Sequence, residues 1–253
     1  MALTKVQGLV THYRALGRGR AIICLHGWGG SAESFHEVAS LLARDYRVIA
    51  LDLPGFGQTD APLEAWRLDA YVAFLFEFIH HLALSKVVLC GHSFGGRVAL
   101  RFAAAYPNLV SHLLLLAAAG IKHEKSPEEK AANFLARIGK RFFSFVPLKN
   151  VSDPARWLFY KMIRRNDYYQ ASTMMRETMK LVIEEDLTPT LSLVTTPTLI
   201  IWGEKDDYVP LTDAHLMQRR IKKSRLEVIK GANHYLPKKY PKETAMLIRK
   251  FLR

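Results

Sequence analysis

The strongest chemical signal in the sequence is a G-x-S-x-G pattern, since residues 90–96 read CGHSFGG. The pattern follows an apolar run typical of a buried strand and precedes a stretch typical of a helix. Glycine at positions 91 and 95 permits a strand-to-helix turn so tight that larger side chains would collide with neighbouring elements. Such a turn exposes the Ser93 hydroxyl at a helix N-terminus, where backbone dipoles favour developing negative charge. Ser93 is therefore the predicted nucleophile, and an ordinary serine N-cap after a glycine turn is the alternative.

A serine hydroxyl is a poor nucleophile at neutral pH, so it needs a base within hydrogen-bond reach. Of the ten histidines, His234 lies in the loop between the last predicted strand and the final predicted helix, where residues 231–237 read GANHYLP. This placement also obeys the chain order of nucleophile, acid and base that goes with a serine on such a turn. His234 is the predicted general base, and a solvated loop histidine is the alternative.

The carboxylate that orients the base should follow the penultimate strand, where residues 202–210 read WGEKDDYVP. Asp206 is the predicted acid, because it could accept the second imidazole proton, fix the tautomer and stabilise the imidazolium. Asp207 stays open as the alternative, since the sequence does not say which of the two carboxylates turns inward.

A tetrahedral oxyanion needs two backbone donors, and the residue after the nucleophile, Phe94, supplies one of them. Residues 25–30 read LHGWGG after another predicted strand, so the Trp28 amide is the predicted second donor and its indole a wall of the acyl pocket. A phosphate site is disfavoured because neither G-x-G-x-x-G nor G-K-[ST] occurs. His26 and His92 flank the site and are predicted to be structural, hydrogen-bonded histidines.

A further motif follows the strand predicted at 47–51, where residues 52–57 read DLPGFG. Proline and glycine at these positions predict a turn, so Asp52 is not a predicted nucleophile. The spacing of His, Cys, Asp and Glu residues resembles no metal site. The predicted chemistry accordingly requires neither a metal nor a cofactor.

Apolar runs typical of strands buried on both faces alternate with helix-like stretches along most of the chain. The alternation implies βαβ crossovers and a mostly parallel sheet flanked by helices, which is the α/β class. Residues 3–16 predict an antiparallel start of two short strands joined near Gly8. The predicted strands are 21–25, 47–51, 86–90, 113–117, 198–202 and 226–229, and the predicted helices are 34–43, 68–84, 94–106, 211–222 and 241–252.

This alternation stops between Gly120 and about Leu193, where charged residues alternate with aromatic residues and methionines. The segment shows no strand pattern, so we predict a helical cap or lid inserted after the sixth strand. The predicted domains are an α/β core of residues 1–120 and 187–253 and a cap of residues 121–186.

The 253 residues fit one catalytic domain, and their formal charge of +13 is concentrated in the C-terminal third. The densest basic cluster, residues 219–225, falls at a predicted helix end and favours a solvated basic face over an acidic partner or an anionic substrate. No signal peptide and no membrane-length apolar run is recognised. The two cysteines, Cys24 and Cys90, fall in predicted buried strands, where reduced thiols are expected. We expect a cytoplasmic protein with no integral membrane association and no nucleic-acid partner.

Together these motifs resemble the α/β-hydrolase superfamily over nearly the whole chain outside the insertion. Within it, the sequence is similar to small capped carboxylesterases, including the pimeloyl carrier-protein methyl ester esterases, which share the HGWG and LPGFG strings. The resemblance implies that the Trp28 and Phe94 amides form the oxyanion hole and that residues 121–185 or so form the cap. The motifs that carry it are 26–30, 52–57, 91–96, 203–206 and His234.

The resemblance also implies a serine esterase that acts on small to medium acyl esters and needs no cofactor. Dehalogenases and epoxide hydrolases of this fold carry an aspartate nucleophile, so Ser93 argues against both. Ring-fission hydrolases that cleave carbon–carbon bonds usually place a tryptophan after the catalytic histidine, whereas this chain has Tyr235. The alternatives are a carbon–carbon hydrolase of the meta-cleavage product type, an esterase acting on an acidic acyl carrier protein, and a non-enzymatic receptor on the same fold.

Overall fold

The computed structural model describes residues 2–123 and 172–253, and an eight-stranded sheet lies at its centre. The strands are β1 Ala2–Val6, β2 Leu9–Leu16, β3 Ala21–Leu25, β4 Arg47–Leu51, β5 Val87–His92, β6 Val110–Leu116, β7 Thr198–Gly203 and β8 Ser224–Ile229. Their order across the sheet is β1-β2-β4-β3-β5-β6-β7-β8. Strands β3 to β8 pair in parallel, whereas β2 pairs antiparallel with both β1 and β4. The predicted α/β architecture with an antiparallel start is therefore confirmed.

The central strands are buried on both faces, as their continuous apolar sequences predict. Every residue of β3, β5 and β7 is buried. Strand β8 is different, because its residues are half-buried or exposed and Val228 is 42% exposed. The prediction that residues 226–229 are buried on both faces is wrong, since β8 is the outermost strand and pairs with β7 alone.

Each of the five individually predicted helices has a counterpart in the described part of the chain, which also contains helices at Thr173–Glu184, within the predicted cap, and at Leu236–Lys239. Helix α2 has an apolar stripe at Leu68, Tyr71, Val72, Leu75 and Phe78, which is the spacing of a helix that packs on a core. No helix among the described residues is both long and apolar enough to cross a membrane. The helices are α1 His36–Leu42, α2 Leu68–His81, α3 Phe94–Ala105, α4 Thr173–Glu184, α5 Leu211–Arg220, α6 Leu236–Lys239 and α7 Pro241–Leu252, with 3-10 turns at Ala32–Phe35 and Pro189–Leu193.

The chain leaves the sheet after β6 and returns to it at β7. The predicted cap of residues 121–186 belongs to this interval, and its residues 124–171 lie outside the described part of the chain. Helix α4 falls within the predicted cap, although Thr173–Arg253 groups with the sheet in one compact unit. Between β6 and β7, the Leu187 N–H donates to the Gly120 carbonyl over 2.8 Å.

Parallel pairing brings the loops that follow β3, β4, β5, β7 and β8 to one edge of the sheet, where ligands bind in open α/β sheets. The register places Leu25, the last residue of β3, between Leu51 of β4 and Gly91 of β5. The five loops contain the HGWGG, DLPGFG and G-x-S-x-G motifs, Asp206 and His234. The fold therefore gathers the predicted site residues at one sheet edge.

Candidate active site

The turn between β5 and α3 holds Ser93 at φ 52° and ψ −113°, a conformation that L-residues adopt rarely. Glycines make the turn possible: a Cβ at Gly91 would lie 2.6 Å from the carbonyl carbon of Gly95, and a Cβ at Gly95 would lie 2.6 Å from the His26 carbonyl oxygen. The Ser93 N–H donates to the Leu116 carbonyl on β6 over 3.1 Å. The neighbouring strand and helix thus hold the strained turn in place, as the G-x-S-x-G pattern predicts.

The structure pairs His234 with Asp206. His234 Nδ1–H donates to Asp206 Oδ2 over 2.8 Å, and the two side chains are 7% and 0% exposed. Asp206 Oδ1 accepts the backbone N–H groups of Tyr208 and Val209, each over 2.9 Å. Burial disfavours the charged carboxylate, but these hydrogen bonds outweigh it and hold the pKa of Asp206 below its ordinary value. Asp207, the alternative acid, is exposed.

His92 links the nucleophile turn to the histidine loop. Its Nε2–H donates to the His234 carbonyl oxygen over 2.8 Å, and the two ring centroids are 4.9 Å apart. Burial, reinforced by the neighbouring His234, lowers the pKa of His92 to about 3, so this imidazole is neutral at physiological pH. The residue that precedes Ser93 in the chain is therefore bonded directly to His234, and it makes the structural hydrogen bond that the sequence predicts.

His26 is also a structural histidine. Its Nδ1–H donates to the Gly27 carbonyl over 2.8 Å, and its Nε2 accepts the Leu53 N–H over 3.0 Å. Complete burial lowers the pKa of His26, with opposing contributions from the Gly27 carbonyl and Asp52. Both ring nitrogens are occupied by the backbone, which excludes His26 as a proton carrier.

The residues after β3 form a turn closed by the Gly30 N–H, which donates to the Gly27 carbonyl over 3.0 Å. Trp28 is the second residue of this turn, and the bond that closes it does not use the Trp28 N–H. Phe94 is the first residue of α3, where a backbone N–H has no acceptor within the helix. A Cβ at Gly27 would lie 3.2 Å from the Ser93 Cβ, so this turn packs directly on the nucleophile.

The side chains of Trp28 and Phe94 belong to a cluster of aromatic rings. Trp28 meets Phe94 and Phe56 edge to face, with ring centroids 5.2 and 4.8 Å apart. Tyr71 of α2 meets Phe94 in the same way at 5.1 Å, and its hydroxyl donates to the Pro54 carbonyl over 3.2 Å. Burial raises the pKa of Tyr71, which keeps the phenol neutral. Sequence reasoning missed Tyr71, because its helical spacing is that of any core residue.

Helix α4 contributes Met175 to the same region. A Cβ at Gly55 would lie 2.7 Å from the Met175 methyl carbon, so the thioether lies on the glycine of the turn after β4. The Trp66 N–H donates to Thr178 Oγ1 over 3.1 Å and attaches α4 to the loop before α2. The aromatic residues therefore have an apolar, flexible neighbour on the α4 side.

The other side of His234 is more polar and more exposed. Tyr208 stacks on the His234 ring with centroids 5.1 Å apart and an interplanar angle of 28°. The Tyr235 hydroxyl donates to the Tyr208 hydroxyl over 3.1 Å, and the two side chains are 39% and 47% exposed. Sequence reasoning missed Tyr208, and its position two residues after Asp206 is the signal that could have identified it.

The structure therefore places a serine on a strained turn and an imidazole hydrogen-bonded to a buried carboxylate at the same edge of the sheet. Within residues 2–123 and 172–253, no group of three His, Cys, Asp or Glu side chains could hold a metal ion.

Comparisons with known proteins agree with this architecture. Residues 20–238 match the family described as alpha/beta hydrolase fold. The AB hydrolase superfamily protein YisY of Bacillus subtilis is 31% identical over 242 residues, which cover 87% of this chain and 86% of that protein. The protein therefore belongs to the α/β-hydrolase family.

Two solved structures share the fold. A thermophilic esterase from Thermogutta terrifontis superposes with a TM-score of 0.76 at 24% identity, covering 100% of this chain and 98% of that one. The meta-cleavage product hydrolase CumD from Pseudomonas fluorescens IP01 superposes with a TM-score of 0.76 at 22% identity, covering 100% and 97%. At these identities the two structures show the common fold alone.

Proposed function

We propose that the protein is a serine hydrolase that cleaves carboxylic esters through an acyl-enzyme on Ser93. The observation that carries the proposal is the 2.8 Å hydrogen bond from His234 Nδ1 to the buried Asp206 carboxylate, at the sheet edge of the strained Ser93 turn. That bond makes Nδ1 the protonated nitrogen and leaves Nε2 as the proton acceptor. An oriented imidazole within hydrogen-bond reach of a serine on such a turn activates the hydroxyl. The bond from His92 Nε2 to the His234 carbonyl oxygen joins the Ser93 turn to the loop of His234.

In the proposed reaction, His234 Nε2 takes the Ser93 proton as Oγ attacks the ester carbonyl carbon. The amides of Trp28 and Phe94 donate hydrogen bonds to the oxyanion that forms. His234 then transfers its proton to the alcohol oxygen as the carbon–oxygen bond breaks, which leaves the acyl group on Ser93. Water that loses a proton to His234 attacks the carbonyl carbon of the acyl-enzyme. The bond from that carbon to Ser93 Oγ then breaks, His234 returns the proton to Oγ, and the carboxylic acid leaves. No step draws on a metal or a cofactor.

The surroundings of the two amides support an ester with an apolar acyl group of small to medium size. Trp28, Phe56, Phe94 and Tyr71 form edge-to-face or tilted contacts with one another, and Met175 lies next to Gly55. Pockets for small organic ligands are lined mainly by such residues.

Hydrolysis of p-nitrophenyl esters from acetate to long acyl chains tests the proposal. We expect turnover by the wild type, best at short and medium chains, and loss of that turnover in Ser93→Ala. Ser40→Ala is the matched control, because Ser40 is exposed on α1 and bonds only to the His36 carbonyl. Ester turnover that survives Ser93→Ala contradicts the mechanism. Turnover of a vinylogous diketone with no turnover of any ester would favour a carbon–carbon hydrolase.

A further inference from the structure

The oxyanion loop, residues 26–32, connects β3 to the first 3-10 turn and contains glycine at three of its seven positions. Glycine loses more conformational freedom on folding than any other residue, so such a loop does little to hold its own shape. Apart from the internal bond from the Gly30 N–H to the Gly27 carbonyl, its geometry depends on contacts with other segments. At its start, the contact is the 3.0 Å hydrogen bond from the Leu53 N–H to His26 Nε2.

The end of the oxyanion loop is held by Asp52, which the proposed reaction does not use. The Ala32 N–H donates to Asp52 Oδ1 over 2.5 Å. Asp52 Oδ2 accepts His12 Nδ1–H over 2.7 Å and the Gln58 N–H over 2.9 Å. The side chain is 2% exposed, and a Cβ at Gly57 would overlap its carboxyl group, so only glycine lets the turn close over it.

Both anchors of the oxyanion loop therefore come from the segment directly after β4, through the Leu53 amide and the Asp52 carboxylate. The same segment supplies Phe56, whose ring lies 4.8 Å from that of Trp28. The turn after β4 therefore contacts the oxyanion loop before Trp28, after Trp28 and at the Trp28 ring itself. The Asp52 carboxyl group accepts hydrogen bonds from Ala32, His12 and Gln58, so it connects the end of the oxyanion loop to two other segments.

We propose that Asp52 is a positioning residue for the oxyanion hole, acting through the Ala32 amide on the Trp28 N–H. The inference rests on the proposed role of Ser93 as nucleophile. Oxyanion donors act by being held where charge develops, so their position matters more in the transition state than in the bound substrate. A displacement of about 1 Å at a reacting centre can lower the rate about 10²-fold.

The first experiment compares Asp52→Ala with Asp60→Ala in ester hydrolysis. Asp60 is the matched control, because it lies in the same loop and its carboxylate accepts the Val10 N–H over 2.8 Å, yet it does not contact the oxyanion loop. Asp52→Ala should lower kcat roughly 10- to 100-fold and change KM less than about threefold. Asp60→Ala should leave both constants near the wild-type values.

A boronic acid inhibitor supplies a readout that a general loss of stability does not move. Its tetrahedral adduct with a serine hydroxyl places an oxygen where the oxyanion forms. Its affinity for Asp52→Ala should fall by the same factor as kcat, because transition-state mimics and turnover share the interaction. An unchanged boronate affinity together with a lowered kcat would overturn the inference.

Ala32→Pro tests the same bond from the other side and does not remove a buried charge. The substitution deletes the N–H that Asp52 accepts, and proline suits the first position of a helical turn. Ser31, the preceding residue, is extended at φ −155° and ψ 178°, which is compatible with a following proline. Ala32→Pro should reproduce the kcat loss and the weaker boronate binding of Asp52→Ala, even if Asp52→Ala itself folds poorly.

The outcomes separate this inference from the proposed function. If Ser93→Ala abolishes ester turnover while Ala32→Pro and Asp52→Ala behave like Asp60→Ala, Asp52 has no positioning role and the serine mechanism stands. If Ser93→Ala retains turnover, the proposed function fails first, whatever the Asp52 variants show. A loss in Ala32→Pro that appears in KM instead of kcat also overturns the inference, because it would indicate a defect in substrate binding.

Discussion

Two aspartate–histidine pairs among the described residues have nearly the same geometry. His234 Nδ1 lies 2.8 Å from Asp206 Oδ2, and His12 Nδ1 lies 2.7 Å from Asp52 Oδ2. No side chain in either pair is more than 7% exposed. Neither the length of the hydrogen bond nor the degree of burial distinguishes a pair that could transfer protons from one that holds the structure together.

The pairs differ at the second nitrogen of each imidazole. The His234 ring lies near the ring of His92, which precedes Ser93, and stacks on the exposed ring of Tyr208. His12 lies on β2, and its Nε2 is buried with no hydrogen-bond partner in the described part of the chain. A general base needs somewhere to take a proton from, and only His234 has such surroundings.

The aspartates differ as well. The second oxygen of Asp206 accepts amides from its own loop, at Tyr208 and Val209, so the carboxylate is oriented locally. Asp52 bonds to the distant His12 and Ala32 as well as to the nearby Gln58. The Asp206 pair therefore fixes one imidazole, whereas the Asp52 pair connects three parts of the fold. The surroundings of an aspartate–histidine pair, and not the pair itself, indicate its role.

Replacing the histidine of each pair should give the largest difference in kcat between the two pairs. His234→Ala should lower kcat at least about 10³-fold, because it removes the proposed acceptor of the Ser93 proton. His12→Ala should lower kcat less than about tenfold. Its main effect should be a loss of roughly 2–4 kcal/mol of stability, since a buried carboxylate loses a donor and a cavity forms. Initial rates and urea unfolding measure both, and a 10³-fold activity loss in a stable His12→Ala protein would reverse the assignment.

Removal of the carboxylate charge should have the next largest effect. Asp206→Asn should also lower kcat, but its loss should be roughly 10- to 100-fold smaller than the loss in His234→Ala. The imidazole remains in this variant, although its tautomer is no longer fixed by the carboxylate. Asp207→Asn is the control, since Asp207 is adjacent and exposed and the structure pairs His234 with Asp206. Steady-state kinetics of the two variants decide between the carboxylates. A larger loss in Asp207→Asn would make Asp207 the orienting acid.

Much of the fold could be predicted from the sequence, because the spacing of apolar residues indicates which faces of a strand or helix are buried. The runs at 21–25 and 47–51 coincide with β3 and β4, and α7 begins and ends where the pattern predicts. The error at β8 has a physical origin, since three of the four residues of LEVI at 226–229 are apolar and Glu227 alone interrupts the run. Whether a strand is central or outermost depends on sheet order, and local sequence does not report that.

The candidate site also combines features that local sequence determines with contacts between distant segments. The turn at Ser93 is local, so its glycines predict it, and the strained φ is found there. The choice between Asp206 and Asp207 and the stacking of Tyr208 depend on how a loop folds back on His234. The bond between Asp52 and His12 joins residues 40 positions apart, and the local sequence around each residue does not predict the other as its partner. Contacts between distant segments require the three-dimensional structure.

The pH dependence of stability should also report on the Asp206 pair. An unfolded aspartate takes up its proton near pH 3.9, whereas the pKa of folded Asp206 lies lower, because its hydrogen bonds outweigh burial. The unfolded state therefore binds more protons in this window, and the stabilisation present above about pH 4 is lost as the pH falls through the folded pKa. Urea unfolding between pH 3 and 7 should show a shallower acid decline in Asp206→Asn. Equal acid slopes would contradict this linkage.

The smallest expected effect concerns Tyr208, the residue that most clearly distinguishes the surroundings of His234 from those of His12. Tyr208→Ala removes the ring stacked on the imidazole but keeps the backbone N–H that holds Asp206. An aromatic contact contributes about 0.5–1.5 kcal/mol, which corresponds to a loss of roughly two- to tenfold in kcat/KM. Tyr208→Phe is the control, since it keeps the ring and loses only the 3.1 Å contact with the Tyr235 hydroxyl. If Tyr208→Phe is impaired as much as Tyr208→Ala, the hydroxyl pair and not the stacked ring orients the histidine.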